Sequence, residues 1–346
     1  DYTDSSCPAL LLEPQRTNLI TQSEYFESWN QQNAIAVNTN NDLSPEGLQN
    51  ATELDGFDAS NFQSVSQYLT LSDGTYTFSV FLKKTTGALN HYPAVVMGST
   101  YKYVIVNSTT GTYAEATGTN DNDSVIIESW DANWWRVIVT NTMSAGFLRF
   151  SIYPSLSSSG TGITPSAAGA NVFYGAQVEA GSYPTSYIPT YGTSVTRNVD
   201  GYNNTTGISG LLGSTTGTFF VDMERFNTEA RDSAGGQFEL RSSDGQTELN
   251  IDIENGGSTR AFYRDGGSFN FIYQSSVLRG KFCFVYNGAN LKLYHNGVKQ
   301  FDSNALSSQD FSQLIYTGVD GAKKHHQIMI FPTALTDQEA IDLTTI

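Results

Sequence analysis

Gly74-Thr75-Tyr76-Thr77-Phe78-Ser79-Val80-Phe81-Leu82-Lys83 is the stretch whose reading decides the fold. Tyr76, Phe78 and Val80 recur with a period of two and Thr75, Thr77 and Ser79 fall between them, so the two sets face opposite sides of an extended strand. The turn Ser72-Asp73-Gly74 launches it. The pattern predicts a half-buried strand with its hydroxyl face toward solvent. Working outward, similar strands are expected at 95–97, 101–106, 124–128, 134–140, 147–153 and 171–179, separated by turn-rich segments.

A second strand series is expected at 217–223, 237–242, 247–254, 259–264, 269–274, 281–287, 291–295 and 327–331. Gly288-Ala289-Asn290 closes a hairpin, and Asn296-Gly297 makes a second tight turn. A single short helix is credible near the end, where Thr336 precedes Asp337, Gln338 and Glu339 as an N-cap with Glu at the third helical position. The 346 residues hold 12% aromatics, only 15% charged residues and 31 glycines, a profile of turn-rich β structure. The expectation is an all-β chain, two antiparallel β-sandwich (jelly-roll) domains in tandem, covering 1–183 and 201–346. Pro184, Pro189, Tyr183, Tyr187 and Tyr191 mark 184–200 as a stiff linker.

A formal net charge of -16 and no run of Lys or Arg argue against a nucleic-acid or anionic-membrane partner. A neutral glycan meets less repulsion than an anionic one. Cys7 and Cys283 are too few and too far apart to form a disulfide framework. No apolar run of about 20 residues suggests membrane insertion, and no signal-peptide pattern is visible. The chain opens at Asp1 and reads as a fragment of something longer.

The stretch Leu10 to Leu19 with Tyr25, Phe26 and Trp29 resembles the entry to a module of bacteriophage tail, fibre and head-decoration proteins. Further marks of that resemblance are Gly74 to Lys83, Trp134-Trp135-Arg136-Val137, Gly175 to Gly181, Pro184 to Pro189 and Val195-Thr196-Arg197. It covers roughly the first 200 residues, and the module is itself similar to jelly-roll carbohydrate-binding modules. The second half resembles the concanavalin A-like lectin/glucanase superfamily in its laminin-G-like form, on Leu291 to Val298 and on Ala334 to Ala340. The resemblance implies recognition of a polysaccharide or surface glycan by a virion or extracellular protein, with a homotrimer as the assembly of such fibres. The alternatives are a polysaccharide-degrading enzyme and a purely structural spacer.

Catalysis would rest on Glu248-Leu249-Asn250-Ile251-Asp252-Ile253-Glu254, where alternation places the polar residues on one face. Asp252 and Glu254 are the candidate pair: neighbours on one face lie about 6.6 Å apart along a strand, against the ~5–5.5 Å between the carboxyls of a retaining glycosidase. Glucanases on this sandwich resemble Glu-x-Asp-x-Glu, and Asn250 stands where the nucleophile would be, which argues for a solvated acidic face or a cation or sugar site instead. For glycan binding, Trp29, Trp130, Trp134 and Arg136 are candidates in the first half and Tyr263 and Arg264 in the second, because rings stack on sugars and planar polar groups take hydroxyls. Trp135 shares parity with Val137 and Val139 and is expected to be the buried member of its pair. Phe269, Phe271 and Tyr273 share parity and are expected in a core. Asp121 and Asp123, in Asn120-Asp121-Asn122-Asp123, could ligate a structural Ca²⁺, although a solvated turn needs the same residues.

Overall fold

The computed structural model describes residues 10–346 apart from 88–90, 99–102, 117–121, 158–167, 205–207, 209, 214, 226–237, 254–257, 267, 305, 307–309 and 318–322. The described chain is almost entirely antiparallel strand, in two sandwich units. Arg16–Arg197 forms the first, here the N-terminal unit; Asp1–Gln15 and Asn198–Ile346 together form the second, the C-terminal unit.

In the N-terminal unit, sheet I runs in the order Tyr113–Ala116, Tyr103–Val106, Tyr92–Gly98, Gly146–Leu156, Ser64–Leu71, Asn30–Gln32. Sheet II runs Ser124–Ser129, Trp134–Met143, Gly74–Lys83, Gly169–Ala180, Ala51–Gly56, Ala36–Asp42. The deciding stretch is thus a central strand, with Phe78 opposite Val139 on one side and Val178 on the other. Phe78, Val80 and Leu82 enter the core between the sheets, where Phe78 meets Phe150 of sheet I edge-to-face at 5.7 Å.

Its hydroxyl face, expected in solvent, is buried: Thr77 and Ser79 are as inaccessible as Phe78. The cover is the segment expected to be a linker. Residues 182–191 lie across the outer face of sheet II, held by groups that the strands present there. The buried Glu179 carboxylate accepts from Thr185 N (2.9 Å), Thr185 Oγ1 (2.5 Å) and Gln177 Nε2 (2.6 Å). Gln177 Oε1 accepts from Ile188 N (2.7 Å), and Arg136 donates to Thr185 O (2.7 Å) and Ser79 Oγ (3.1 Å). Val195–Arg197 then pairs with Arg16–Asn18. Residues 184–197 are therefore a strap of the N-terminal unit, because an extended segment can satisfy a polar sheet face as water would.

Sheet III of the C-terminal unit runs Leu10–Leu12, Lys323–Phe331, Thr216–Arg225, Arg279–Asn287, Asn290–His295, Val298–Asn304. Sheet IV runs Gly201–Asn204, Phe311–Thr317, Phe238–Ser242, Thr247–Ile253, Thr259–Asp265, Ser268–Ser275. Between them lies a second core, including Leu249, Ile251 and the parallel-stacked pair Phe219 and Phe238 at 4.6 Å. The expected first domain, 1–183, loses its opening residues to this unit because Leu10–Leu12 pairs with Lys323–Phe331. Asn296 and Gly297 both take positive φ (48° and 77°) in the two-residue turn between His295 and Val298, the twist that suits a tight hairpin. Asp337–Thr344 is helical behind a complete capping box of Thr336 and Glu339. Burial pushes the Cys283 thiol up to about 12; Cys7 lies outside the described residues.

Two outcomes test this packing. All four tryptophans lie in the N-terminal unit, so their fluorescence reports its unfolding alone. Glu179→Leu strands three donors under the strap and should lower that unit's stability by about 2–5 kcal/mol in urea titrations. In the C-terminal unit, His295 is buried against Phe282, and burial lowers its imidazole to about 4. The unfolded chain takes up that proton near pH 6.5, so stability should fall as pH drops from about 6.5 toward 4. His295→Gln should flatten this slope, read by hydrogen exchange across Arg279–Asn287.

Candidate functional site

The acidic strand Thr247–Ile253 alternates as expected, with Leu249 and Ile251 in the core and Glu248, Asn250 and Asp252 on the opposite face. That face is not solvated, since all three are buried. The neighbouring strand supplies the reason: its register sets Glu248 opposite Arg264 and Asp252 opposite Arg260. Arg260 grips Asp252 with both ends of its fork, Nε to Oδ1 at 2.9 Å and NH2 to Oδ2 at 2.6 Å. Glu248 Oε1 accepts from Arg264 at 2.7 Å and pairs with Arg241 at 3.3 Å. Glu239, on the other side, pairs with Arg241 and takes Asn250 Nδ2 at 3.3 Å. Burial, and then the Glu248 charge, raise its carboxyl above the usual range.

Three carboxylates and three guanidinia thus neutralise one another. Asp252 has both oxygens engaged by one arginine, so it is not poised to attack; Glu254 lies outside the described residues. Tyr263 is a core residue, fully buried among Leu249, Phe282 and their neighbours. Arg264 does reach the surface, half-exposed beside Phe269. Phe269 was expected in the core with Tyr273. A register shift between Tyr263 and Arg264 turns Phe269 to the arginine face, while Tyr273 packs inward.

The tryptophans fare differently from their expected roles. Trp29 is core, its ring edge-on to Phe26 at 5.1 Å and its Nε1 donating to Gln22 O at 2.7 Å. Trp134 does share a face with Arg136, but both are buried beneath the strap, with Phe81, Tyr174 and Tyr187 as neighbours. Trp135 faces the core edge and is only half-buried, capped by Lys84 Nζ at 4.1 Å and donating to Ser108 O. The parity of this pair is the one the sequence predicts; the exposure is inverted because the far face has a cover. Trp130 alone of the set is open to solvent, propped against Phe81 at 5.2 Å.

The best-formed open surface was not singled out in the sequence. On the outer face of sheet I, Tyr68 and Phe147 stack in parallel at 5.1 Å with 5° between ring planes, 41% and 68% exposed. Tyr68 sits opposite Arg149 and Phe147 opposite Thr70, so the rings meet on the diagonal of adjacent strands. Next along the face, Ser66 and Ser151 share a hydroxyl contact of 2.7 Å. Asn30 and Gln32, exposed on the edge strand, stand opposite Ser66 and Ser64. Gln32 Oε1 accepts from Ser64, which leaves its amide nitrogen facing solvent, and nothing described engages the Asn30 carboxamide. Behind them Tyr103, Tyr153 and Phe62 close the face, with Tyr103 and Tyr153 at 5.1 Å. Desolvation above all holds the Tyr103 hydroxyl well above its usual range, and Arg149 partly counters it. A parity reading of Ser64, Ser66, Tyr68 and Thr70 contains the signal: one aromatic on an otherwise hydroxylated face.

For a cation, Asp121 lies outside the described residues. Asp123 has a carboxylate oxygen on Thr142 N, and Asn122 bonds Asn141 and Glu115, which is turn and strand-edge chemistry. Among the described residues no three His, Cys, Asp or Glu side chains gather as metal ligands, and no helix is long and apolar enough to cross a membrane. No protein-family model matches the chain, and no curated protein matches it.

Arg260→Ala should strip the buried Asp252 carboxylate of its two-point guanidinium contact, destabilising the C-terminal unit by about 3–5 kcal/mol. The double variant Arg260→Met/Asp252→Leu should recover most of that loss in the same denaturation experiment.

Proposed function

We propose that the chain recognises a glycan without cleaving it, as the sugar-holding part of a phage fibre or decoration protein. The observation that carries this is the exposed, parallel Tyr68–Phe147 pair on the same face as the open Asn30 carboxamide and the Gln32 amide nitrogen. Aromatic faces take the apolar face of a pyranose, and planar amides take its hydroxyls. Holding a phenylalanine ring two-thirds exposed forgoes burial worth roughly 25 cal/mol per Å², a loss that a bound sugar ring would return. The net charge of -16 favours a neutral polymer. Against hydrolysis stands the engagement of Asp252 by Arg260. The homotrimer expected of fibres belongs to the same proposal.

The test is retardation in gels carrying neutral polysaccharides, with parallel assay for new reducing ends. Retardation without product is expected. Phe147→Ala should abolish it with no change in melting temperature, because the ring is on the surface, whereas Trp130→Ala should alter mobility less than about twofold. Product formation that Asp252→Asn removes would replace this reading with an enzyme.

A further inference from the structure

The C-terminal unit holds a cavity of about 470 Å³ on the outer face of sheet III, and none of its lining residues is discussed above as a sugar contact. One wall is the hairpin of Arg279–Asn287 and Asn290–His295. Val285 stands opposite Lys292 and Asn287 opposite Asn290, so these four side chains share one face. The other wall is the segment leading into the helix, with Ala334 and Leu335. Both walls are fixed. Leu335 N donates to Thr218 Oγ1 (3.1 Å), which itself donates to Thr333 O (2.9 Å), and Gly288 N donates to Thr215 O (2.7 Å).

The polar groups are arranged for a neutral, hydroxyl-bearing ligand. The exposed Asn287 carboxamide is engaged by no described side chain, offering two donors and an acceptor. Asn290, also in the lining, spends one donor on Asp302 Oδ1 (3.0 Å), and no described side chain engages its oxygen. Lys292 is already paired with Asp337 Oδ1 (2.5 Å), and Lys299 bridges Asp337 and Asp302. Two ammoniums and two carboxylates therefore cancel at the rim, and Lys292 and Lys299 hold the Asp337 carboxyl far below the usual range. Val285, Ala334 and Leu335 give the walls their apolar part. The volume falls within the roughly 300–1,000 Å³ of small-molecule sites.

We infer that this cavity is a second sugar site, taking the neutral end residue of a saccharide through Asn287 and Asn290. The inference rests on the reading of the chain as a glycan-recognition protein, but its site lies in the other unit. The full chain is titrated with neutral methyl glycosides of glucose, galactose, mannose and N-acetylglucosamine, and with acetate, by saturation-transfer NMR. Saturable binding of at least one glycoside is expected, weakened about tenfold or more by Asn287→Leu, since a site that hydrogen-bonds hydroxyls loses most when its donor is removed. Asn287→Gln should retain part of it, and Phe147→Ala should leave it unchanged. Binding that Asn287→Leu does not move, or no binding of any glycoside at about 20 mM, overturns the inference. Acetate bound in place of the glycosides overturns it too, by assigning the cavity to anions. Loss of polysaccharide retardation in Phe147→Ala with glycoside binding intact separates this site from the Tyr68–Phe147 face.

Discussion

The Glu179 carboxylate beneath the strap is the interaction on which the N-terminal unit depends. An antiparallel sheet with one polar face can rest in water, and the alternation of Gly74–Lys83 is written for that arrangement. Once residues 182–191 cover the face, each buried polar group needs a partner within the protein. Glu179, Gln177 and Arg136 provide those partners by meeting the strap's backbone at Thr185 and Ile188. The same cover buries Trp134 and turns a plausible sugar platform into packing. It leaves sheet I as the sheet of this unit with an open aromatic surface.

Charge compensation does the equivalent work in the C-terminal unit. Buried carboxylates on sheet IV are each met by a guanidinium from their own strand or the next, so a face that looks acidic in one dimension is neutral in three. Pairs of this kind contribute little net stability while intact and cost several kcal/mol when halved. Their effect is to orient side chains: Arg264 stands beside Phe269 with its guanidinium on Glu248.

Local period was legible in the sequence wherever it was strong. The inward set Phe78, Val80, Leu249 and Ile251, the Asn296-Gly297 turn and the Thr336–Glu339 capping box all follow from neighbours a few residues apart. What could not be read was which outward faces acquire a cover, because the strap has no periodicity and its partners are distant strands. The ion pairs were nearer to hand: Glu248 and Asp252 precede Arg260 and Arg264 at matching spacing, and the antiparallel register of Thr247–Ile253 on Thr259–Asp265 brings them face to face. The Phe269 inversion needed a register shift, for which local sequence carries no mark. Of the site, Trp130 and Arg264 were named and are exposed, whereas Tyr68 and Phe147 required comparing polar faces strand by strand.

The pairing of Arg16–Asn18 with Val195–Arg197 makes the N-terminal unit a closed loop whose two ends lie side by side. During synthesis this unit has all its strands once Arg197 has emerged, while Leu10–Leu12 must wait for Lys323–Phe331. A chain that left Leu10 waiting on an open coil would face a large loop-closure entropy. The finished N-terminal unit shortens that loop to the few residues on either side of its own ends. Complete before 198–346 leave the ribosome, it acts as a clasp that keeps Leu10–Leu12 within reach of the strands that follow.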